Sequence, residues 1–131
     1  MNSRLSLSNG EWKIMKLLWK NNTMTVGEFV AALEKDTGWN KNTVFTMLKR
    51  LEEKGAVKML TKQRPQKYVA LIARGDAENY EASSFISRVF DGSVGLFVSA
   101  LTDRNKLSKR EIDELRGILD KAESELEQTE E

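Results

Sequence analysis

Residues 40–55 have the sequence NKNTVFTMLKRLEEKG, which marks a helix at both of its ends. Four apolar side chains recur at helical spacing and form one stripe: Val44, Met47, Leu48 and Leu51. Asn40 is a favourable N-cap residue, and Gly55 can adopt the left-handed conformation beyond the last turn. The pattern therefore predicts an amphipathic helix between these two residues, with its apolar stripe buried.

The opposite face of this helix is hydrogen-bonding or cationic except for one phenylalanine. Its members are Lys41, Asn42, Thr43, Phe45, Thr46, Lys49 and Arg50. A helix with such a face can enter the major groove of DNA, where base edges present donors and acceptors. A basic helix face is also commonly nothing more than solvated surface, so the flanking segments must decide between the two interpretations.

Composition removes most catalytic chemistry from consideration. The 131 residues include no cysteine and no histidine, which excludes disulfides, zinc-finger and iron–sulfur sites, thiol nucleophiles and histidine acid–base catalysis. No pair of carboxylates on a shared face stands out, so we expect neither an enzyme nor a cofactor. No apolar run approaches the ~20 residues of a membrane span, and the N-terminus lacks a signal peptide's apolar core, so we expect a cytoplasmic protein.

The formal net charge of +1 hides a segregation of charge along the chain. Residues 1–70 contain 13 Lys and Arg against 6 Asp and Glu, a net charge of +7. Residues 71–131 contain 8 against 14, a net charge of −6. A basic half suits a polyanion, and an acidic half that keeps many apolar residues suits a protein partner.

Two capping boxes precede the central segment, at Ser8 to Glu11 and at Thr25 to Glu28. The first predicts a helix to about Lys20, and the second predicts a short helix that ends near Gly38. Trp12 and Trp19 lie at helical spacing and are expected in the core, with ligand stacking as the alternative. Two short amphipathic helices joined by a small turn, the second with a polar outer face, are typical of a helix-turn-helix.

After Gly55 the apolar period shortens to that of a β-strand. Residues 56–60 and 67–72 are strand-like, and the segment between them includes the chain's single proline. The pattern predicts a β-hairpin, which in this position is the wing of a winged helix. Lys62, Arg64 and Lys67 make its tip cationic and available to DNA phosphates. The alternative is that these charges only protect a sheet edge.

From about Asp76 the chain is predicted to be helical and acidic. Asp91-Gly92-Ser93 separates two helices, and a third capping box, Ser108 to Glu111, opens the last one. Apolar residues of the last helix follow a heptad spacing over about two heptads. The apolar faces of these helices cannot all be buried within one chain, which favours homodimerisation. The alternative is that the helices pack against the N-terminal domain.

The predicted dimer interface consists of Phe85, Val89, Phe97, Leu101, Ile112, Leu115 and Leu119. The acidic tail, Ser124–Glu131, is expected to fray. We place a winged helix-turn-helix DNA-binding domain at residues 1–73 and a helical dimerisation domain at residues 74–131, which makes the fold class mostly α.

A combination of residues along nearly the whole chain is specific enough to suggest a family. They are Glu11-Trp12, Met15, Leu18-Trp19, Trp39, the segment 41–51, Lys54-Gly55, Tyr68, Glu81, Ser84-Phe85, Leu107-Ser108 and Glu114-Leu115. On these residues the chain resembles the BlaI/MecI family of bacterial repressors, which regulate penicillinase and methicillin resistance. The resemblance implies a winged-helix domain and a helical domain that forms a homodimer on a palindromic operator.

The resemblance also implies roles for individual residues. Family members use the polar face of the third helix for bases and adjoining phosphates, which implies this role for Thr43, Thr46 and Arg50. Phe45 stands where the better-known repressors have arginine; it cannot make a bidentate contact to guanine but can pack on a thymine methyl. Lys41 and Asn42 replace a Pro-Lys pair, which changes the helix start but retains a cation.

Release from DNA in the antibiotic-resistance branch is proteolytic, through cleavage of an Asn–Phe bond in the dimer domain. The corresponding bond here is Ala100–Leu101, which retains a large apolar residue after the bond but lacks the asparagine. The resemblance thus implies an inducing protease as a further partner. Copper-sensing relatives use C-terminal Cys-x-Cys pairs, and the absence of cysteine excludes that mechanism.

The sequence therefore predicts a homodimeric transcriptional repressor whose partners are double-stranded operator DNA and a second copy of the chain. A winged helix can instead serve as a protein–protein adaptor without sequence-specific DNA binding. The 13 cations of the basic half argue against an adaptor. Retention on heparin with a steep salt dependence would distinguish the two functions.

Overall fold

The computed structural model describes residues 3–60 and 64–130, without the side chains of Ser3, Asn105 and Glu130. The α-helices are α1 (Asn9–Asn21), α2 (Val26–Thr37), α3 (Lys41–Glu53), α4 (Arg74–Phe90), α5 (Val94–Thr102) and α6 (Lys109–Glu130). The strands are β1 (Thr23–Thr25), β2 (Val57–Met59) and β3 (Lys67–Ala70). Short 3₁₀ helices cover Ser3–Leu5 and Asp103–Asn105.

The three predicted capping boxes are present and determine where α1, α2 and α6 begin. In the first, the Glu11 N–H donates to Ser8 Oγ at 3.2 Å, and the Ser8 N–H donates to Glu11 Oε1 at 2.9 Å. The same reciprocal pair forms at Thr25–Glu28 and at Ser108–Glu111. Because each bond joins residues three positions apart, the local sequence is sufficient to place these helix starts.

Both ends of α3 also agree with the sequence. Asn40 Oδ1 accepts the Thr43 N–H at 2.9 Å as the N-cap. Gly55 has a φ of 85°, the left-handed conformation expected of it. The next residue, Ala56, donates its N–H to the Leu51 carbonyl at 2.8 Å, which completes a Schellman motif. This turn directs the chain from α3 into β2.

The N-terminal core consists of the apolar faces of α1, α2 and α3 together with residues of the sheet. Its fully buried large side chains are Ile14, Met15, Leu18, Phe29, Val44, Leu48, Leu51 and Val57. Met47 belongs to the predicted α3 stripe but is only partly buried, because it packs at the edge of this core. Trp12 and Trp19 also pack against the core, with their ring centroids 5.9 Å apart, which confirms the core interpretation.

A three-stranded antiparallel sheet completes the winged helix, with the strand order β1-β3-β2. The predicted hairpin is present as β2 and β3, and buried Tyr68 pairs with Met24 on one side and Met59 on the other. The sequence did not predict β1, because three residues are too few to show a strand pattern. The pairing with β3 makes this segment a strand. The helix-turn-helix and wing predicted from the sequence are therefore confirmed.

Contacts divide the chain into two compact units, Met1–Ser84 and Phe85–Glu131. The predicted boundary at residue 73 precedes this division. The reason is that the first turns of α4 belong to the N-terminal unit, where Ala77 is completely buried in the core. Trp19 Nε1 donates to the Ile72 carbonyl at 2.9 Å and ties the segment before α4 to α1.

The C-terminal unit contains an aromatic cluster and much exposed apolar surface. The ring centroids of Phe85, Phe90 and Phe97 lie 5.5–5.8 Å from one another. Helix α6 continues to Glu130, so the tail Ser124–Glu131 is helical over its described residues, and its fraying stays a prediction. The residues of this segment are mainly Glu, Leu and Gln, which are good helix formers, and neither Gly nor Pro interrupts them. In the described ranges no single helix is long and apolar enough to cross a bilayer; α4 and α5 reach the required apolar length only as a pair, across their bend.

Candidate nucleic-acid interface

The outer face of α3 is the centre of the candidate interface. Of the residues predicted to contact DNA, six on this helix are exposed: Lys41, Asn42, Phe45, Thr46, Lys49 and Arg50. The seventh, Thr43, is partly buried. On the inner face Val44, Leu48 and Leu51 are completely buried and hold the helix against the core. The amphipathic division of α3 predicted from its sequence is thus present, with the polar side chains directed outward.

Hydrogen bonds within α3 define what its hydroxyl groups can offer to a base. Thr46 Oγ1 donates to the Asn42 carbonyl at 2.9 Å, so its hydrogen is used inside the helix. The lone pairs of that oxygen remain available as acceptors. In this rotamer the Thr46 hydroxyl oxygen can accept a hydrogen bond from a donor on a base edge, such as an amino group.

Five cations of the candidate interface have no ion-pair partner in the part of the chain that the structure describes. Lys41, Lys49, Arg50, Arg64 and Lys67 form no ion pair within the described residues. Some cations elsewhere are paired, as in the Lys13–Asp36 bridge at 2.6 Å. Unpaired cations on one surface give a positive potential that suits a polyanion.

The wing contributes Arg64 just before β3 and Lys67 as the first residue of that strand, and both are exposed. The third wing cation predicted to bind phosphate, Lys62, lies outside the described residues. Two of the three predicted wing contacts can therefore be located.

A cleft that the sequence analysis did not predict lies between α2, α3 and the segment before β3. It has a volume of about 610 Å³ and is lined by Thr25, Val26, Gly27, Lys41, Phe45, Arg64, Pro65 and Gln66. Phe45 is 48% exposed. Three of these residues belong to the predicted DNA contacts, but the others come from α2 and the wing. No local pattern indicates that these segments meet.

Two contacts position α3 against α1. Lys54, the C-cap of α3, lies with its Nζ 2.7 Å from Glu11 Oε1 and 2.7 Å from the Ser6 carbonyl oxygen. Gly10 allows Met47 and Trp39 to approach, because an added Cβ would lie 3.0 Å from Met47 Cε and 3.1 Å from Trp39 Cη2. Both contacts join α1 to α3 or to the segment directly before it.

The predicted dimer-interface residues all lie in the C-terminal unit. Val89 and Leu119 are 51% and 67% exposed, respectively. The other five are partly buried: Phe85, Phe97, Leu101, Ile112 and Leu115. Phe90 was not in the predicted set, although its ring contacts both Phe85 and Phe97. The proposed cleavage bond, Ala100–Leu101, lies near the end of α5, with Ala100 exposed and Leu101 partly buried.

Comparison with known proteins gives a consistent result. The family model described as penicillinase repressor matches residues 7–121. The penicillinase repressor of Bacillus licheniformis is 32% identical over 114 residues, which cover 87% of this chain and 89% of that protein. The methicillin resistance regulatory protein MecI of Staphylococcus aureus is 26% identical over 120 residues, which cover 92% of this chain and 98% of that protein.

Among solved structures, the solution structure of the DNA-binding domain of the repressor BlaI matches with a TM-score of 0.49 and 32% identity. The match covers 54% of this chain and 87% of that one. The family model spans most of the chain, which confirms the resemblance seen in the sequence. The chain belongs to the penicillinase repressor family of transcriptional repressors, also called the BlaI/MecI family.

Proposed function

We propose that the protein is a homodimeric repressor that binds a palindromic operator and blocks transcription by covering a promoter. The observation that carries this proposal is the outer face of α3, where exposed polar residues and unpaired cations share a cleft with Arg64 of the wing. In a member of a repressor family, such a face is suited to a major groove.

The two parts of this surface take different tasks in the proposal. Thr43, Thr46 and Arg50 contact base edges and adjoining phosphates, while Phe45 packs on a thymine methyl group. Arg64 and Lys67, with Lys62, contact the sugar–phosphate backbone. Base contacts specify the operator, whereas phosphate contacts supply affinity for any sequence.

The exposed apolar surface of the C-terminal unit supports the second element of the proposal, the homodimer. Val89, Ile118, Leu119 and Leu126 are each more than half exposed. Apolar residues at heptad spacing on α6 favour pairing with a second copy. A twofold dimer presents two α3 helices about one or more helical turns of DNA apart, which explains a palindromic site.

Proteolytic release is the third element. The Ala100–Leu101 bond lies within the last turn of α5, and helix ends open locally at low cost in free energy. Cleavage there would separate the α6 helix from the DNA-binding unit of the same chain and weaken the dimer. Absence of cleavage by a co-expressed inducing protease would remove this element and leave operator binding intact.

Selection of bound sequences from a random DNA pool by the purified full-length protein tests the proposal. We expect enrichment of an inverted repeat, with affinity that falls by about 10³ or more between 50 and 200 mM salt for half a dozen phosphate contacts. Enrichment of a single half-site would contradict the dimer. Binding without enrichment would contradict sequence-specific repression, and no binding at all would favour the adaptor function.

A further inference from the structure

We infer that the cleft between α2, α3 and residues 64–66 binds a small organic acid with a flat apolar body, and that this ligand competes with DNA. The competition rests on the proposed function, because the cleft shares Lys41, Phe45 and Arg64 with the proposed DNA contacts. The binding of the acid to the cleft does not rest on the proposed function.

The charge of the cleft favours an anion. Lys41 and Arg64 both line it, and neither forms an ion pair within the described residues. No carboxylate is among the lining residues. The nearby acid of α2, Glu28, has its Oε1 hydrogen-bonded to the Thr25 N–H at 2.9 Å as part of the capping box. An entering carboxylate therefore meets two cations, one of which offers the planar donors that bind it bidentately.

The apolar residues of the cleft favour a flat body attached to that anion. Val26, Phe45 and Pro65 line it together, and the Phe45 side chain remains 48% exposed. A half-exposed aromatic ring in a concave site provides a stacking surface for a planar ligand. A simple inorganic anion would leave this surface in contact with water.

The size of the cleft agrees with a small organic molecule. Its volume of about 610 Å³ lies within the range of about 300–1,000 Å³ that is common for such sites. Its lining is concave and comes from three segments, whereas an α3 helix that enters a major groove presents a convex surface. A ligand held in the cleft would cover Phe45 and Lys41, which are also proposed DNA contacts.

Titration of the isotope-labelled full chain with naphthoate, followed by amide chemical shifts, tests the site. We expect saturable shifts concentrated at Gly27, Phe45 and Gln66, with a dissociation constant on the order of 1 mM or lower. Naphthalene methanol, which lacks the charge, and acetate, which lacks the flat body, should each bind at least about fivefold more weakly. No saturable shifts, or shifts centred elsewhere, would overturn the inference.

Two pairs of variants distinguish binding in this cleft from nonspecific binding elsewhere on the protein surface. An added Cβ at Gly27 meets only Thr25 Oγ1, at 3.9 Å, so Gly27→Leu can occupy the cleft without a clash at Cβ. Gly75→Leu is its control, because Gly75 lies in the first turn of α4, away from the cleft, and has no neighbour within 4 Å of an added Cβ. Arg64→Gln is compared with Lys58→Gln, which removes an exposed cation of β2 that does not line the cleft.

We expect naphthoate to bind Gly27→Leu and Arg64→Gln at least about fivefold more weakly than the wild type, and the two controls to bind it unchanged. Equal binding by all four variants would overturn the site. These measurements contain no DNA, so they remain decisive even if the operator proposal fails.

Competition is measured separately, on DNA obtained from the selection experiment. Naphthoate at saturating concentration should release the wild-type protein from DNA, whereas the neutral alcohol should not. The Gly27→Leu protein should stay bound at the same concentration. Saturation of the cleft without release of DNA would overturn the competition.

Discussion

The Lys54 ammonium nitrogen lies 2.7 Å from Glu11 Oε1 and joins the end of α3 to the first turn of α1. The Glu11 side chain is only 5% exposed, whereas that of Lys54 is 23% exposed. Glu11 Oε1 also accepts the Ser8 N–H at 2.9 Å. One carboxylate therefore starts α1 and anchors the helix that we propose to enter the DNA groove.

Removal of Lys54 should destabilise the protein, because it leaves a nearly buried Glu11 charge without its partner. We expect Lys54→Met to lower the free energy of unfolding by about 2 kcal/mol, less than for a fully buried pair because solvent reaches Lys54. Lys13→Met is the matched control: its bridge to Asp36 is exposed, at 41% and 58%, and should contribute less than about 1 kcal/mol. Urea unfolding measures both, and equal losses would contradict a special role of the Lys54 bridge.

Gly10 should not tolerate a branched side chain. Gly10→Val places its Cβ 3.0 Å from Met47 Cε and 3.1 Å from Trp39 Cη2, and the rigid indole cannot move as easily as the methionine. We expect a loss of about 1–3 kcal/mol in urea unfolding, as for overpacked cores. Gly75→Val, with nothing within 4 Å of its Cβ, is the control. A stable Gly10→Val protein would show that α1 and α3 can separate without cost.

Base and phosphate contacts should respond differently to substitution. We expect Thr46→Ala to reduce the preference for operator over random DNA by about fivefold, because it removes an acceptor on the outer face of α3. Arg64→Ala should weaken binding to both DNAs alike and lower the salt slope by about one unit, and we expect Lys62→Ala also to weaken binding to both DNAs alike. Fluorescence anisotropy on both DNAs measures these effects, and parallel losses from both variants would refute the division of tasks.

A charge on the apolar face of α6, which includes Ile112, Leu115 and Leu119, should weaken the proposed dimer. Leu115→Lys places an ammonium group at a partly buried position of this apolar face. Because the charge disfavours pairing of two α6 helices, we expect the sedimentation coefficient and the operator affinity to fall together. Gly117→Lys adds the same charge two residues away, on the opposite side of the helix, where an added Cβ meets nothing within 4 Å. An unchanged sedimentation coefficient for Leu115→Lys would place the dimer interface elsewhere.

The stabilisation that the capping box gives to α6 should depend on pH. Hydrogen bonds from the Ser108 backbone N–H and from its side chain hold the pKa of Glu111 below its ordinary value of 4.5. The pKa of Glu111 is lower in the folded state than in the unfolded state. The stabilisation is therefore complete above pH 4.5 and is lost as the pH falls through the folded-state pKa. A carbon-detected NMR titration should give a Glu111 midpoint below 4.5. Ser108→Ala should raise this midpoint, whereas Ser124→Ala should leave it unchanged.

The features that the sequence predicted correctly depend on residues close together along the chain. The capping box at Ser8–Glu11 and the left-handed Gly55 involve neighbours within a few positions, so residue identity alone places them. The buried α3 stripe follows from helical periodicity in the same way. The polar outer face of α3 was therefore recognisable before any tertiary contact was known.

The features that the sequence did not predict depend on contacts between distant segments. Strand β1 exists because Met24 pairs with Tyr68 in β3, and three residues carry no strand pattern of their own. The start of α4 joins the N-terminal unit because Ala77 fits into its core. Neither outcome is encoded by a local propensity.

The amino-acid sequence alone thus determined the starts of α1, α2, α3 and α6, the helix-turn-helix with its hairpin wing, and the family, because caps, periodicity and turn residues act over a few positions. Only the tertiary structure decided that Lys54 meets Glu11 across 43 positions, and that Gly27 shares a cleft with Phe45 and Arg64. Such contacts depend on how whole elements pack against one core, a global arrangement that no short segment specifies.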